Sequence, residues 1–339
     1  MNTQNFKVLI IGCGNMAGGY DLRQPSEALP LGHAKAFRNH GGFEVTACIE
    51  PNTERRQVFQ SFWNVPLGFA SWKDVPAQSG QFDVISICSP SEFHATDLQA
   101  AFKLKPKLIF CEKPVTLSMT QTLRAVKDCA AQDVLLAVNY SRRWSPQVIE
   151  LKQQLELGLW GSVRSVFAVY NKGLLNNGSH MVDLLLNLLG PLHITDVGQA
   201  VVDHFDTDPS VDACLQTADG VPIQLNIAHA QDYALFEMQI ITQKGVIAME
   251  DGGARWRLRR AAPSAQLPGY NFLNHGEWLA PQSSPALQNA VANLHDALTQ
   301  GAALACTGHH ALQAQSLCEQ IQLQAVAKWP QPQDKREAA

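Results

Sequence analysis

No long basic run occurs anywhere in these 339 residues, and the formal net charge is −4. Nucleic acid is held by neutralising several phosphates at once, so it is excluded as a partner. Charged residues make up only 17% of the chain and hydrophobic ones 46%, which excludes a disordered, charge-rich protein. No uninterrupted apolar stretch approaches the roughly 20 residues a membrane helix needs; Met181 to Leu189 is far shorter and contains Asp183 and Asn187. The first residues, Met1 to Lys7, enter a strand-like run without a signal-peptide pattern. Cys13, Cys48, Cys88, Cys111, Cys129, Cys214, Cys306 and Cys318 are dispersed, with no C-x-x-C pair. Several lie inside apolar strands, where a thiol acts as a small hydrophobe, so neither a disulfide framework nor a zinc site is expected. No histidine–carboxylate spacing suggests a catalytic metal, and no internal repeat is present. The expectation is a soluble, cytoplasmic protein whose length suits two domains.

Short apolar runs alternate with helical spacing in the first 140 residues. Phe6 to Ile11, Glu44 to Ile49, Phe82 to Cys88, Lys107 to Cys111 and Val134 to Val138 read as strands. Thr53 to Phe62, Ala95 to Phe102 and Ser118 to Ala131 read as helices, with Ser118 as N-cap. Such alternation implies right-handed crossovers and a parallel, doubly wound sheet. Beyond Asn139 come a helix (Ser145 to Leu157), a strand (Val163 to Tyr170) and a helix from about Gly178 to Leu189. From His193 to Leu258 the chain is strand-rich with turns at Ala218-Asp219-Gly220, near Asp232 and at Lys244-Gly245. Short turns between adjacent strands point to an open, largely antiparallel sheet. Ser284 to Thr299 and His309 to Lys328 are helical. The expected division is a dinucleotide-binding Rossmann domain over 1–139, a substrate-binding and oligomerisation α/β domain over 140–330, and a frayed tail over 331–339.

Gly12-Cys13-Gly14-Asn15-Met16-Ala17 follows the first strand and fits G-x-G-x-x-A. Gly12 permits the tight bend, Gly14 lets backbone approach a pyrophosphate, and Ala17 permits close helix–strand packing. Helix N-terminal amides then supply an anion site. Glu50 closes the second strand, 36 positions after Gly14. The usual interval is roughly 20 positions, and the excess is assigned to an insertion from Tyr20 to Leu31. A carboxylate at that strand end accepts hydrogen bonds from a ribose and repels a 2′-phosphate, which favours NAD over NADP. Arg55 and Arg56, close by, read as solvated helix residues. Ser89-Pro90 ends another strand and places a loop beside the nicotinamide half, with His94 either in contact with the cofactor or packing the next helix. Glu112-Lys113-Pro114 ends the strand Leu108 to Cys111, so Lys113 stands on the edge of the sheet where ligands bind. In Asn176-Asn177-Gly178-Ser179-His180, at the start of a helix, Asn176 and His180 have the i, i+4 spacing that aims two side chains at one place.

These pieces, together with Asn139-Tyr140-Ser141-Arg142-Arg143-Trp144 and Gly178-Ser179-His180-Met181-Val182-Asp183-Leu184-Leu185, resemble the Gfo/Idh/MocA family of NAD(P)-dependent oxidoreductases over nearly the whole length. The resemblance implies a catalytic group of Lys113, which would hydrogen-bond the reacting hydroxyl, His180, the general acid/base, and Asn176. Many family members have aspartate at the position of Asn176, so here His180 is left as the base. The implied cofactor-binding set is Gly12, Gly14, Asn15, Met16, Glu50, Ser89, Pro90, His94, Glu112 and Lys113. Tyr140, Arg143, Lys172 and Asn177 are candidates for the substrate pocket, with Arg142 beside them. The implied reaction moves a hydride between nicotinamide and a secondary alcohol or ketone of a sugar or cyclitol, preferably a nucleotide-linked sugar. The resemblance also implies a homodimer or homotetramer. Two other readings stay open at this point: an NAD-dependent glycosidase acting through transient oxidation, and a non-catalytic dinucleotide-dependent sugar-binding protein.

Overall fold

A computed structural model describes residues 5–76, 80–279 and 285–329. Its first elements, in order, are β1 (Phe6–Ile11), α1 (His33–His40), β2 (Phe43–Ile49), α2 (Thr53–Trp63), β3 (Leu67–Phe69), β4 (Val84–Ile87), α3 (His94–Lys103), β5 (Leu108–Cys111), α4 (Met119–Ala131) and β6 (Leu135–Val138). All six strands pair in parallel, in the order β3-β2-β1-β4-β5-β6. Val8, Leu9, Ile10, Val84, Ile85, Leu108, Ile109 and Phe110 are wholly buried. A parallel sheet covered on both faces asks for such continuous apolar runs, and each of these large side chains stabilises the fold by about 1.5–3 kcal/mol. Strand order reverses between β1 and β4. The reversal opens a crevice at the carboxyl ends of those two strands, where open α/β sheets bind ligands.

Local capping is uneven. The Asn52 side chain accepts from the Arg55 N–H at 2.9 Å and starts α2. Ser118 stands at the N-cap of α4 as expected, but its side chain makes no capping bond. β3 is only three residues long and too short for an apolar alternation, so the sequence does not signal it.

The chain continues through α5 (Pro146–Glu156), β7 (Val163–Tyr170), a π-helical turn (Gly173–Gly178) and α6 (Ser179–Leu189). Then follow β8 (Leu192–Phe205), β9 (Asp208–Thr217), β10 (Pro222–Ile227), β11 (Glu237–Thr242), β12 (Gly245–Glu250), β13 (Arg255–Pro263), β14 (Asn271–Leu273) and β15 (Glu277–Leu279). These strands join β7 in one sheet ordered β14-β13-β12-β11-β7-β10-β9-β8, with β15 paired to β13. Only β7 and β10 run parallel; the other pairs are antiparallel. Burial alternates along β7, with Val166, Ala168 and Tyr170 buried and Phe167 exposed, as a sheet with one solvated face requires. α7 (Ala286–Gln300) and α8 (Gly308–Lys328) end the described chain. Among the described residues no helix is long and apolar enough to cross a membrane.

Two compact units result, one from residues 5–149 and 285–313, the other from 150–279 and 314–329. This differs from a single division at residue 139, because α7 belongs to the first unit. Its Ala290, Val291 and Leu294 are buried. Asn293 Oδ1 accepts from Trp144 Nε1 at 3.0 Å, and Asn289 Nδ2 donates to the Trp144 carbonyl at 3.0 Å. An apolar stripe near a chain end says that a helix is buried, not which core it fills. The expected frayed tail, 331–339, lies outside the described residues.

Candidate functional site

At the carboxyl end of β1 the chain turns at Gly12, whose φ is +78°. A Cβ there would lie 2.8 Å from the Ser89 backbone, which leaves β4 and its following loop pressed against the turn. Around Gly14 the space is open, with nothing within 4 Å of the Cβ position. Backbone with no side chain, at the switch point and beside open space, suits close approach of a pyrophosphate. Gly14 to Gly19 then make one turn, with the Gly19 N–H donating to the Gly14 carbonyl at 3.1 Å. α1 does not continue from it directly. Its first amides, His33 and Ala34, donate to the Met16 and Ala17 carbonyls at 2.9 and 2.8 Å, so the helix resumes as though residues 20–31 had been looped out. Asp21, buried, fastens that insertion: its two oxygens accept from the Leu31 and Gly32 amides at 3.0 and 2.7 Å.

Glu50 ends β2 beside the same turn and is 4% exposed. Its Oε2 accepts from the Cys13 N–H at 3.0 Å and its Oε1 from the Asn52 N–H at 2.9 Å. Next to it a cleft of about 270 Å³ is lined by Cys13, Gly19, Leu22, Asn52, Arg55 and Val58, among others. Arg55 approaches Glu50 only at 3.5 Å and its side chain is 56% exposed, in keeping with a solvated residue. Arg56 instead bonds the Glu50 carbonyl.

The β4 and β5 ends carry Ser89, Pro90, His94, Glu112 and Lys113. Ser89 Oγ donates to Asp97 at 2.5 Å. His94 is wholly buried, with Nδ1 2.8 Å from the Pro114 carbonyl and Nε2 2.8 Å from the Ser89 carbonyl. It therefore ties the two strand-end loops together. Lys113 is half-buried and precedes a cis peptide bond to Pro114. Glu112, expected to touch the cofactor, is placed otherwise: its Oε1 is 2.9 Å from His33 Nε2 and accepts from Asn139 Nδ2 at 2.7 Å. His33 is wholly buried, stacks on Phe110 and reaches Ser86 Oγ at 2.7 Å. The sequence gives little sign of this polar core next to Lys113 in the chain, because its members come from α1, β4 and the ends of β5 and β6.

Burial opposes a charge on His33, but Cys88 and the Glu112 carboxylate raise its pKa to about 10. Glu112 shifts the other way: burial raises it, and the His33 hydrogen bond and charge outweigh that and lower it. Stability from a raised imidazole is complete below its unfolded value, near 6.5, and is lost as pH rises through about 10. Melting temperature measured from pH 6.5 to 10.5 should fall for the wild type and more shallowly for His33→Gln. At pH 6.5 that variant should itself be less stable by about 3–5 kcal/mol, since Glu112 is left buried without its cation.

In the second unit, Asn176 and Asn177 do not lie on an α-helical first turn. They belong to the π-turn, which follows Lys172 in a left-handed conformation (φ 67°), and α6 begins only at Ser179. The four-residue spacing of Asn176 and His180 is therefore carried by a π-turn leading into α6 rather than by an α-helical first turn. Asn176 Nδ2 donates to the Lys172 carbonyl at 3.0 Å and Asn177 Nδ2 to the Asn171 carbonyl at 2.9 Å. Lys172, Asn176 and Asn177 nonetheless share one cavity of about 400 Å³, with Phe236, Glu237 and Asp251 on its other walls. Burial and the Glu250 carboxylate push the Glu237 pKa up. His180, half-buried, lies in the first turn of α6. Tyr140 and Arg143, the other two pocket candidates, are buried (1% and 7% exposed) at the end of β6 in the first unit.

Residues 6–140 match the family described as oxidoreductase family, NAD-binding Rossmann fold. Inositol 2-dehydrogenase of Rhizobium meliloti (strain 1021) is 24% identical over 267 residues, 73% of this chain and 79% of that protein. The WlbA dehydrogenase from Bordetella pertussis, solved with NADH and UDP-GlcNAcA, superposes with a TM-score of 0.75 at 19% identity, covering 98% of this chain and 100% of that one. UDP-N-acetylglucosamine 3-dehydrogenase GnnA from Acidithiobacillus ferrooxidans gives 0.73 at 17% identity, covering 96% and 99%. At such identities the two solved structures speak to the fold alone.

Proposed function

We propose that this chain, whose residues 6–140 match the oxidoreductase family with an NAD-binding Rossmann fold, is a Gfo/Idh/MocA oxidoreductase and oxidises, reversibly, a secondary alcohol on a sugar or cyclitol, preferably a nucleotide-linked sugar. The carrying observation is Lys113, an ammonium group fixed at the carboxyl end of β5, one strand from the crevice at which the glycine turn sits. NAD fits the first unit on two grounds: the side-chain-free approach at Gly12 and Gly14, and the Glu50 carboxylate at the β2 end, which suits ribose hydroxyls and repels a 2′-phosphate. When bound, the nicotinamide supplies the hydride acceptor or donor.

The protein's own residues supply orientation and proton transfer. The Lys113 ammonium stabilises the alkoxide character that develops as the hydroxyl is oxidised. His180 Nδ1 or Nε2 takes the hydroxyl proton in oxidation and returns it in reduction. Asn176, an amide, can orient a substrate by hydrogen bonding but cannot hold the proton. The cavity formed by Lys172, Asn176, Asn177 and Glu237 offers hydrogen-bonding groups of both kinds to a hydroxylated ring. The relative from Rhizobium meliloti is named for inositol, WlbA is solved with UDP-GlcNAcA and GnnA is named for UDP-N-acetylglucosamine, which supports both substrate classes. A homodimer or homotetramer belongs to the same proposal.

The test is absorbance at 340 nm with NAD or NADP across a panel of cyclitols, free sugars and UDP-sugars. NADH formation from at least one alcohol, with NADP at least about tenfold poorer, is expected from Glu50. Sugar release without net NADH, or no change across the panel, would count against the proposal.

A further inference from the structure

We infer that Asp208, which lies outside every motif noted above, is a positioning residue that fixes the π-turn and through it Asn176 and His180; this rests on the roles proposed for those two residues. The first N–H groups of any helix lack intrahelical acceptors. Here two aspartates near the turn of the β8–β9 hairpin supply them. The Leu175 amide donates to Asp208 Oδ1 and the Asn176 amide to Asp208 Oδ2, each at 2.8 Å. The Lys172 amide donates to Asp203 Oδ2 at 2.8 Å. The Gly173 amide donates to Ser210 Oγ at 3.0 Å, and that hydroxyl donates to Asp203 Oδ1 at 2.9 Å. Gln322 Nε2 also donates to Asp208 Oδ1, at 3.2 Å.

The approach is close enough to dictate sequence. A Cβ at Gly173, where φ is +84°, would lie only 2.2 Å from Asp208 Oδ2, so glycine is what lets the carboxylate reach the turn. Asp203 and Asp208 are both buried, at 2% and 9% exposure. Negative charge at a helix start is favourable, and its bonds to amides are of the stronger, charge-assisted kind. One carboxylate gripping two consecutive amides fixes the pitch of the peptide that follows.

That pitch matters for the chemistry. A π-turn carries one more residue than an α-turn and is often found at functional sites. Its collapse to an α-turn would change the twist between Asn176 and His180, and so the angle at which their side chains leave the helix axis. Asp208 thus sets which way Asn176 faces, without itself meeting substrate.

The experiment is Asp208→Asn, which keeps the side-chain size but turns one acceptor into a donor facing an amide. Exchange of the Leu175 and Asn176 amides should accelerate at least about tenfold. The His180 ring resonances should shift, and kcat with the alcohol found in the substrate panel should fall about 100-fold while the dissociation constant for NADH is unchanged. Unchanged His180 resonances and unchanged kcat in folded Asp208→Asn, whatever its melting temperature, would overturn the inference. If that variant does not fold, Ser210→Ala, which removes the hydroxyl that joins the Gly173 amide to Asp203, should shift the same resonances in the same direction, and no shift would overturn it. His180→Ala measured alongside separates the two levels. Normal turnover there defeats the role of His180 itself; loss there with normal Asp208→Asn defeats only the positioning.

Discussion

His180→Ala lowers kcat by about 100- to 10,000-fold, the usual contribution of a positioned general acid/base, and leaves the dissociation constant for NADH within about twofold, because the glycine turn and Glu50 proposed to hold the dinucleotide are unchanged by it. The size follows from the residue at position 176. An aspartate there could share the proton; Asn176 cannot, and its Nδ2 is already given to the Lys172 carbonyl. Stopped-flow absorbance and NADH fluorescence titration measure the two quantities separately. Near-normal turnover in His180→Ala would remove the histidine from the reaction. A matching loss of NADH affinity would recast it as a cofactor or structural residue.

Lys113→Met lowers kcat by about 100- to 1,000-fold, as removal of one donor to a developing oxyanion does. Methionine keeps much of the length and apolar stem of lysine and removes only the charge, so packing loss is not confused with chemistry. The backbone at that point is held independently of the ammonium: the Glu112 amide donates to the Ile87 carbonyl at 2.9 Å, and His94 bonds the Pro114 carbonyl. The melting temperature should therefore change little. A steep fall in stability with kcat per folded molecule intact would mean that Lys113 is structural, through the adjoining Glu112 and His33 pair.

The features that could be read in the sequence are those whose physics is local. The G-x-G-x-x-A turn after β1, the strand-end position of Lys113 and the alternation that makes a parallel sheet depend on neighbours within a few residues. The looped-out insertion was legible for the same reason, since Glu50 came too late after Gly14. What could not be read is held from far away. Glu112 looks like a ligand-edge carboxylate until His33, 79 residues earlier, takes it into the core. Asn176 and His180 look like an α-helical pair until Asp208, 32 residues later, holds the turn open. The sequence does not show that the His94 ring lies between the carbonyls of Ser89 and Pro114, the second of them 20 residues later. The apolar stripe of α7 shows burial but carries no address, so its return to the first unit is invisible along the chain.

The most direct measurement of the central claim is isotopic. The alcohol that supports turnover, deuterated at the carbon to be oxidised, is incubated with NAD and the enzyme, and both products are analysed by mass spectrometry. One deuterium in NADH for each ketone formed is the predicted result. Deuterium retained in the sugar product, or exchanged into water with no label in NADH, would contradict it.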